Sequence, residues 1–325
     1  MKEVGNLMVS VDMITYKHED YIGEAIEGVL MQETNFEFDL IIADDCSPDR
    51  TQEIVEHIIK VHPKGYRIKY FRNKENLGMQ ANGFFAAQQC TGKYVAICEG
   101  DDYWSDPLKL QKQVDFLEAN PDYIFSVHRY KLYLENKKEF EHNTIHPLNY
   151  GLYKEKEGRI EIDEKSFSKD WLTQPLTAVI VREDLNKVLS KQFDFKYFRD
   201  YHIFYFLLQR GKGVCLNSCS GVYRINDGGV ASRKTFFEKL KIAFLIYEEL
   251  YLYTKDTSIL LNYWKFAFAL IRRVGGFKII SKSFFYNFNL NDKLISIKCF
   301  FVAFFDLVCM KMKKYANLST CFLFF

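Results

Sequence analysis

Over residues 94–98 an apolar run, Tyr-Val-Ala-Ile-Cys, stops against Glu99, Asp101 and Asp102. This junction constrains the fold more than any other stretch of the chain. Carboxylates crowded at the end of a buried strand repel one another, and they are costly to strip of water unless a cation sits among them. Open α/β sheets also place their ligands at the carboxyl ends of their strands. The segment 94–107 is therefore expected to end a buried strand and to seat a divalent cation carrying a phosphorylated ligand.

The segments around it indicate the sheet that this strand joins. Leu7–Ile14, Phe38–Ala43 and Ile68–Phe71 are short apolar runs. Between them, apolar residues recur at helical intervals over Asp20–Gln32, Thr51–Val61 and Asn76–Gln89. Strands alternating with helices of this length imply βαβ units and a mostly parallel sheet flanked by helices. A helix over Leu108–Ala119, strands over Ile124–Tyr133 and Thr177–Val181, a helix over Asp200–Gln209 and an extended run over Lys212–Ile225 continue the pattern. Residues 135–170 are charged and lack apolar periodicity, so a mobile, irregular region is expected there. From about Thr235 the chain changes to aromatic-rich helical segments at 235–254, 257–274 and 290–312. That change places a boundary near 232, with an α/β domain over 1–232 and a helical region over 233–325.

Composition excludes some functions. The net charge of +2 is too small for a general nucleic-acid binder. None of the eight cysteines forms a Cys-x-x-Cys pair, so they read as reduced thiols of a cytoplasmic protein. Met1–Leu7 is too short and too polar for a signal peptide.

Other motifs are weaker alone. Asp44-Asp45 before Cys46-Ser47-Pro48 is either a turn with a helix cap or an acceptor for a nucleobase or ribose. Tyr16 either stacks on a base or packs on the first helix, and His18 reads as a surface residue. Gly78 and Gly83 have P-loop spacing, but Phe84-Phe85 stand where Lys-Ser/Thr would be needed. His142 and His146 share a helical spacing, yet Pro147 and the polar surroundings speak against a metal site. Trp171 is a sugar platform or a core anchor.

Taken in order, Val-Ser-Val-Asp-Met-Ile-Thr-Tyr (9–16), Ile-Ile-Ala-Asp-Asp-Cys-Ser-Pro-Asp (41–49), Asn-Leu-Gly (76–78) and Glu-Gly-Asp-Asp-Tyr-Trp (99–104) resemble the motifs of a family 2 glycosyltransferase of GT-A fold, of the bacterial surface-glycan type. The resemblance runs over roughly residues 7–230. It implies that Thr15, Tyr16, Asp45, Asn76, Gly78 and Asp101 bind a nucleotide-sugar donor. It further implies that Asp102, with Asp101, ligates Mg²⁺ or Mn²⁺ on the diphosphate. The family often has Asp where Glu99 stands and Gly where Cys46 stands. Asp200 matches the general-base aspartate, although an Asp at a helix start is also an ordinary cap.

The implied activity is an inverting, metal-assisted transfer of one sugar, of hexosyltransferase type, to a carbohydrate or lipid-linked acceptor. Mg²⁺ takes oxygen ligands, commonly one or two carboxylates plus substrate phosphates, so no basic phosphate loop is required. The competing readings are a sugar-phosphate nucleotidyltransferase and a catalytically silent nucleotide-sugar-binding protein. Gln174-Pro175-Leu176-Thr177 stands where relatives line the acceptor pocket. Arg224 is a partner for diphosphate, or for Asp227 or Glu183. Asn226 replaces a common His, and His202 reads as packed or superficial.

In the tail, the longest apolar run, Cys299–Met310, contains Asp306 and is too short to span a bilayer. The basic, aromatic helices there are expected either to touch the inner face of the membrane peripherally or to cover the catalytic domain.

Overall fold

The computed structural model describes residues 7–141, 158–167, 173–229, 234–274, 280 and 287–312. His142, His146 and Trp171 lie outside them. The chain divides into two units. The first comprises Met1–Glu164, Leu172–Phe193 and Ile203–Ile225, and the second Lys165–Trp171, Asp194–His202 and Asn226–Phe325. From before residue 232, the second unit thus takes Lys165–Trp171, Asp194–His202 and the residues from Asn226 on.

The first unit is built on β1 (Leu7–Thr15), β2 (Glu37–Asp44), β3 (Ile68–Arg72) and β4 (Tyr94–Ile97). They run parallel in the order β3-β2-β1-β4. Val9, Val11 and Met13 on β1, Leu40–Ala43 on β2 and Val95–Ala96 on β4 are fully buried, as near-continuous apolar strands of a covered parallel sheet require. Helices α1 (Ile22–Leu30), α2 (Thr51–Val61) and α3 (Met79–Gln89) make the crossovers.

The sheet continues through β9 (Val179–Val181), β6 (Tyr123–Leu134) and β10 (Lys212–Ile225) to the two-residue β5 (Tyr103–Trp104). β9 lies antiparallel between β4 and β6, whereas β6 and β10 are parallel to each other. Helices α4 (Lys109–Ala119) and α6 (Arg182–Leu189) belong to the same unit.

Two expectations are corrected. Residues 135–170 are not uniformly irregular: β7 (Glu139–Phe140), β8 (Arg159–Ile162) and α5 (Glu164–Phe167) occur there among the described residues. In β8, Arg-Ile-Glu-Ile alternates, burying Ile160 and Ile162. A period of two over four residues is easily lost among charges. The helix expected from Asn76 begins only at Met79, because Gly78 adopts φ 85° and the preceding turn is tied elsewhere.

The second unit contains α8 (Phe236–Thr254), α9 (Thr257–Val274) and α10 (Leu290–Met312). Thr235 caps α8 in a capping box with Glu238, and Lys255 in the left-handed region ends it. Between α8 and α9 the core is aromatic, with Phe244 and Tyr263 rings 4.6 Å apart and Tyr247 stacked on Phe266. Helix α7 (Asp200–Leu208) starts in this unit, and its first-turn His202 is wholly buried. His202 Nδ1 accepts the Arg199 N–H at 3.1 Å, and its ring stacks on Phe198. It is therefore a packed helix-start residue, held near pKa 3 by burial.

Candidate active site

Because β2, β1 and β4 are adjacent and parallel, their carboxyl ends come out on one edge of the sheet. Asp45 N–H donates to the Thr15 carbonyl at 3.0 Å, and Gly100 N–H donates to the Ile14 carbonyl at 3.0 Å. The two acidic strand ends therefore flank the end of β1.

On one side, Asp45 is buried and engaged by the loop that follows β3. Its Oδ1 accepts from the Asn73 side chain (3.0 Å) and Leu77 N–H (2.7 Å), and its Oδ2 accepts from Gly78 N–H (2.8 Å). Asn76 donates to the Asp45 carbonyl at 3.2 Å. Asp45, Asn76 and Gly78 are thus brought together as one rigid turn. Asp44 points the other way, wholly buried, accepting from Ser47 N–H and the Tyr70 hydroxyl. Cys46 between them sits at φ 60°, which accounts for the glycine that the family often has there. Tyr16 keeps 36% of its surface exposed, with the Lys17 ammonium 5.2 Å from its ring.

On the other side, Gly100 must be glycine. A Cβ there would lie 2.8 Å from Thr15 Oγ1 and 2.9 Å from His18 Nδ1. His18 spans the gap, with Nδ1 3.1 Å from Thr15 Oγ1 and Nε2 3.8 Å from Asp101 Oδ2. The sequence reads His18 as a surface residue, and 20% of its side chain is exposed; these contacts have no sequence signal beyond its place three residues after Thr15.

Asp102 is 1% exposed. Its Oδ1 accepts the Arg224 N–H at 2.8 Å, and its Oδ2 is buried with no hydrogen-bond partner. Burial, then the charges of Asp101 and Glu99, push its carboxyl well above the usual range. A buried, partnerless carboxylate oxygen beside two further acids fits a divalent cation, which would remove that penalty. Among the described residues no three His, Cys, Asp or Glu side chains are grouped to hold an ion by themselves.

Arg224 does not pair with Asp227 or Glu183. Its guanidinium binds Glu24 and, at 2.8 Å, Glu135, while its Nε donates to the Asp101 carbonyl at 2.9 Å. The rings of Tyr21, Tyr103 and Tyr133 surround it at 5.0–5.6 Å. Below the loop, Trp104 is buried, donates to the Leu176 carbonyl at 2.8 Å and carries Lys109 Nζ 3.7 Å from its ring centre. Leu176, in the segment expected to line an acceptor pocket, therefore supports the acidic loop.

Asp200 opens α7 in the second unit. Its Oδ1 accepts Tyr201 N–H at 3.1 Å, and burial lifts its carboxyl to about 6 despite that bond.

Residues 10–189 match the family model described as Glycosyl transferase family 2. The chain belongs to that family. A putative teichuronic acid biosynthesis glycosyltransferase, TuaG of Bacillus subtilis, is 26% identical over 75% of this chain and 88% of its own length. The Mycobacterium tuberculosis protein Rv1520 is 38% identical over 39% of this chain, a stretch that spans only 36% of that relative. Among solved structures, TarS residues 1–349 of S. aureus with UDP-GlcNAc superposes with a TM-score of 0.58 at 17% identity, over 90% of this chain and 79% of that one. The mannosyltransferase PcManGT of Pyrobaculum calidifontis, with GDP-Man and Mn²⁺, gives 0.51 at 13% identity, over 92% and 86%. The fold is accordingly the α/β GT-A fold followed by C-terminal helices.

Proposed function

We propose that this family 2 glycosyltransferase moves a single sugar, with inversion, from a nucleoside-diphosphate-sugar to a hydroxyl of a carbohydrate or lipid-linked glycan. The observation that carries the proposal is Asp102, buried at the sheet edge with one oxygen fixed by Arg224 N–H and the other unpartnered. The ligands named for TarS and PcManGT, and the biosynthetic assignment of TuaG, support a nucleotide-sugar donor and a surface-polysaccharide setting. The six cysteines whose side chains are described are free thiols, in keeping with a cytoplasmic setting.

In this reading Asp102, with Asp101, holds Mg²⁺ or Mn²⁺. When bound, that ion supplies electrostatic stabilisation of the charge that grows on a diphosphate leaving group. The chain's own residues do the rest. Asp45 keeps the Asn76–Gly78 turn in place to receive the nucleoside, and Tyr16 offers its exposed ring to the base. Thr15 orients His18, whose ring faces the Asp101 carboxylate. Asp200 accepts the proton of the attacking hydroxyl, a task suited to a carboxyl lifted to about 6.

The deciding experiment incubates the purified chain with a panel of nucleotide-sugars and Mn²⁺ and follows release of nucleoside diphosphate. Release from one donor, dependent on Asp102 and Asp200, supports the proposal. Release of pyrophosphate from a nucleoside triphosphate and sugar phosphate would instead identify a nucleotidyltransferase, and no turnover with intact donor binding would identify a silent binding protein.

A further inference from the structure

Among its described side chains, helix α10 buries one face and leaves an apolar stripe exposed. On the buried side, Phe300 lies 5.0 Å from both Trp264 and Phe268 of α9, and Trp264 Nε1 donates to Ser296 Oγ at 2.8 Å. Asp292, also on that side, is bound by Lys255 at 2.8 Å and by the Tyr251 hydroxyl at 3.0 Å. Away from that side, Leu290, Leu294, Ile297 and Phe301 are 46–75% exposed, while Phe304 at the edge packs on Phe268 and Phe300. The spacings of four, three and four residues put Leu290, Leu294, Ile297 and Phe301 in one stripe along the helix, about 60° wide at 100° per residue.

The charges beside this stripe identify what it meets. Lys298 stands exposed on one shoulder and the half-buried Lys293 on the other. Among the described side chains of α10 the one acid, Asp292, is turned inward and consumed by Lys255. Two copies of the helix joined along this stripe would oppose lysine to lysine, whereas paired helices rely on opposite charges at those flanks. An apolar stripe with basic shoulders instead matches the boundary of an anionic bilayer, where acyl chains receive the apolar side chains and lysines reach the headgroups. No helix among the described residues is long and apolar enough to cross a membrane, so such a helix would lie in the interface plane.

We infer that the Leu290–Leu294–Ile297–Phe301 face of α10 docks on an anionic lipid leaflet. The inference goes beyond the transferase reading, and its test needs no turnover. The full chain is sedimented with vesicles of phosphatidylcholine plus phosphatidylglycerol, and with vesicles of phosphatidylcholine alone. The chain should follow the anionic vesicles and be released as salt rises. The double variant Leu294→Glu/Phe301→Glu, with unchanged far-UV circular dichroism, should partition at least about tenfold more weakly. Lys298→Glu should weaken binding to the anionic vesicles alone. Equal binding to both vesicle types, or none to either, overturns the inference. So does light scattering that shows a wild-type dimer reduced to a monomer by the double variant. Should the variants fail to fold, the wild-type comparison of the two vesicle types still decides.

Discussion

The backbone N–H of Arg224 donates to Asp102 Oδ1 at 2.8 Å, while the guanidinium of the same residue grips the Asp101 carbonyl at 2.9 Å. One residue of β10 therefore fixes both acids proposed as cation ligands, and side-chain replacement separates its two roles. Arg224→Met keeps the N–H but removes the guanidinium, taking that partner from Glu24 and leaving Glu135 with Lys138 alone. Since Glu24 is half exposed, the stability loss should be about 1–3 kcal/mol in thermal or urea unfolding. Steady-state kinetics should show kcat/KM for the donor falling about 10–100-fold, as for other residues that orient metal ligands.

Asp102→Asn should trade function for stability. The wild-type chain should bind nucleoside diphosphate more tightly with Mn²⁺ than without, and calorimetry should find that difference gone in the variant. Without metal, replacing a buried carboxyl that lacks one partner should raise stability by about 1–2 kcal/mol. An unchanged Mn²⁺ effect would remove Asp102 from the cation site.

Asp200 sets a pH dependence. A base works ionised, so kcat/KM should rise with pH, pass its midpoint near the value of about 6 at which burial holds this carboxyl, and level off above it. Asp200→Asn should abolish that limb and lower kcat by about 10²–10⁴-fold with donor affinity unchanged.

Gly100→Ala would force a Cβ to within 2.8 Å of Thr15 Oγ1 and 2.9 Å of His18 Nδ1. The acidic loop should shift, raising the donor KM about tenfold or more, while the melting temperature falls by only a few degrees. His18→Ala alone should raise KM less, since it leaves the backbone of the loop in place.

Asp12, in the middle of β1, is lifted to about 7 by burial. In the unfolded chain it titrates near 4. Between these values the folded state carries the extra proton, so its stability falls as pH rises from 4 to 7 and stays lower above. Asp12→Asn should therefore melt higher than wild type at pH 8 and nearly together with it at pH 4, in paired calorimetric scans.

The central strands β1, β2 and β4 were legible because burial on both faces writes itself as near-continuous apolar runs, and the acids were legible because nothing else excuses them at such positions. The partners of Arg224 were not, for Glu24 and Glu135 lie 200 and 89 residues away and no local pattern joins them. The late start of α3 was equally hidden. Apolar spacing favours a helix through Asn76, but Asp45, 32 and 33 residues earlier, takes the N–H groups of Leu77 and Gly78. His18 escaped for a related reason, since a histidine after a strand gains meaning only when a second loop folds against it.

That same Asp45 clasp changes what an incoming nucleoside encounters. The Asn76–Gly78 turn is frozen when the polypeptide folds, so its disorder is surrendered once, during folding, and not again at each catalytic cycle. Loosening the clasp should then appear as slower capture and faster escape of the donor, leaving the chemical step itself untouched.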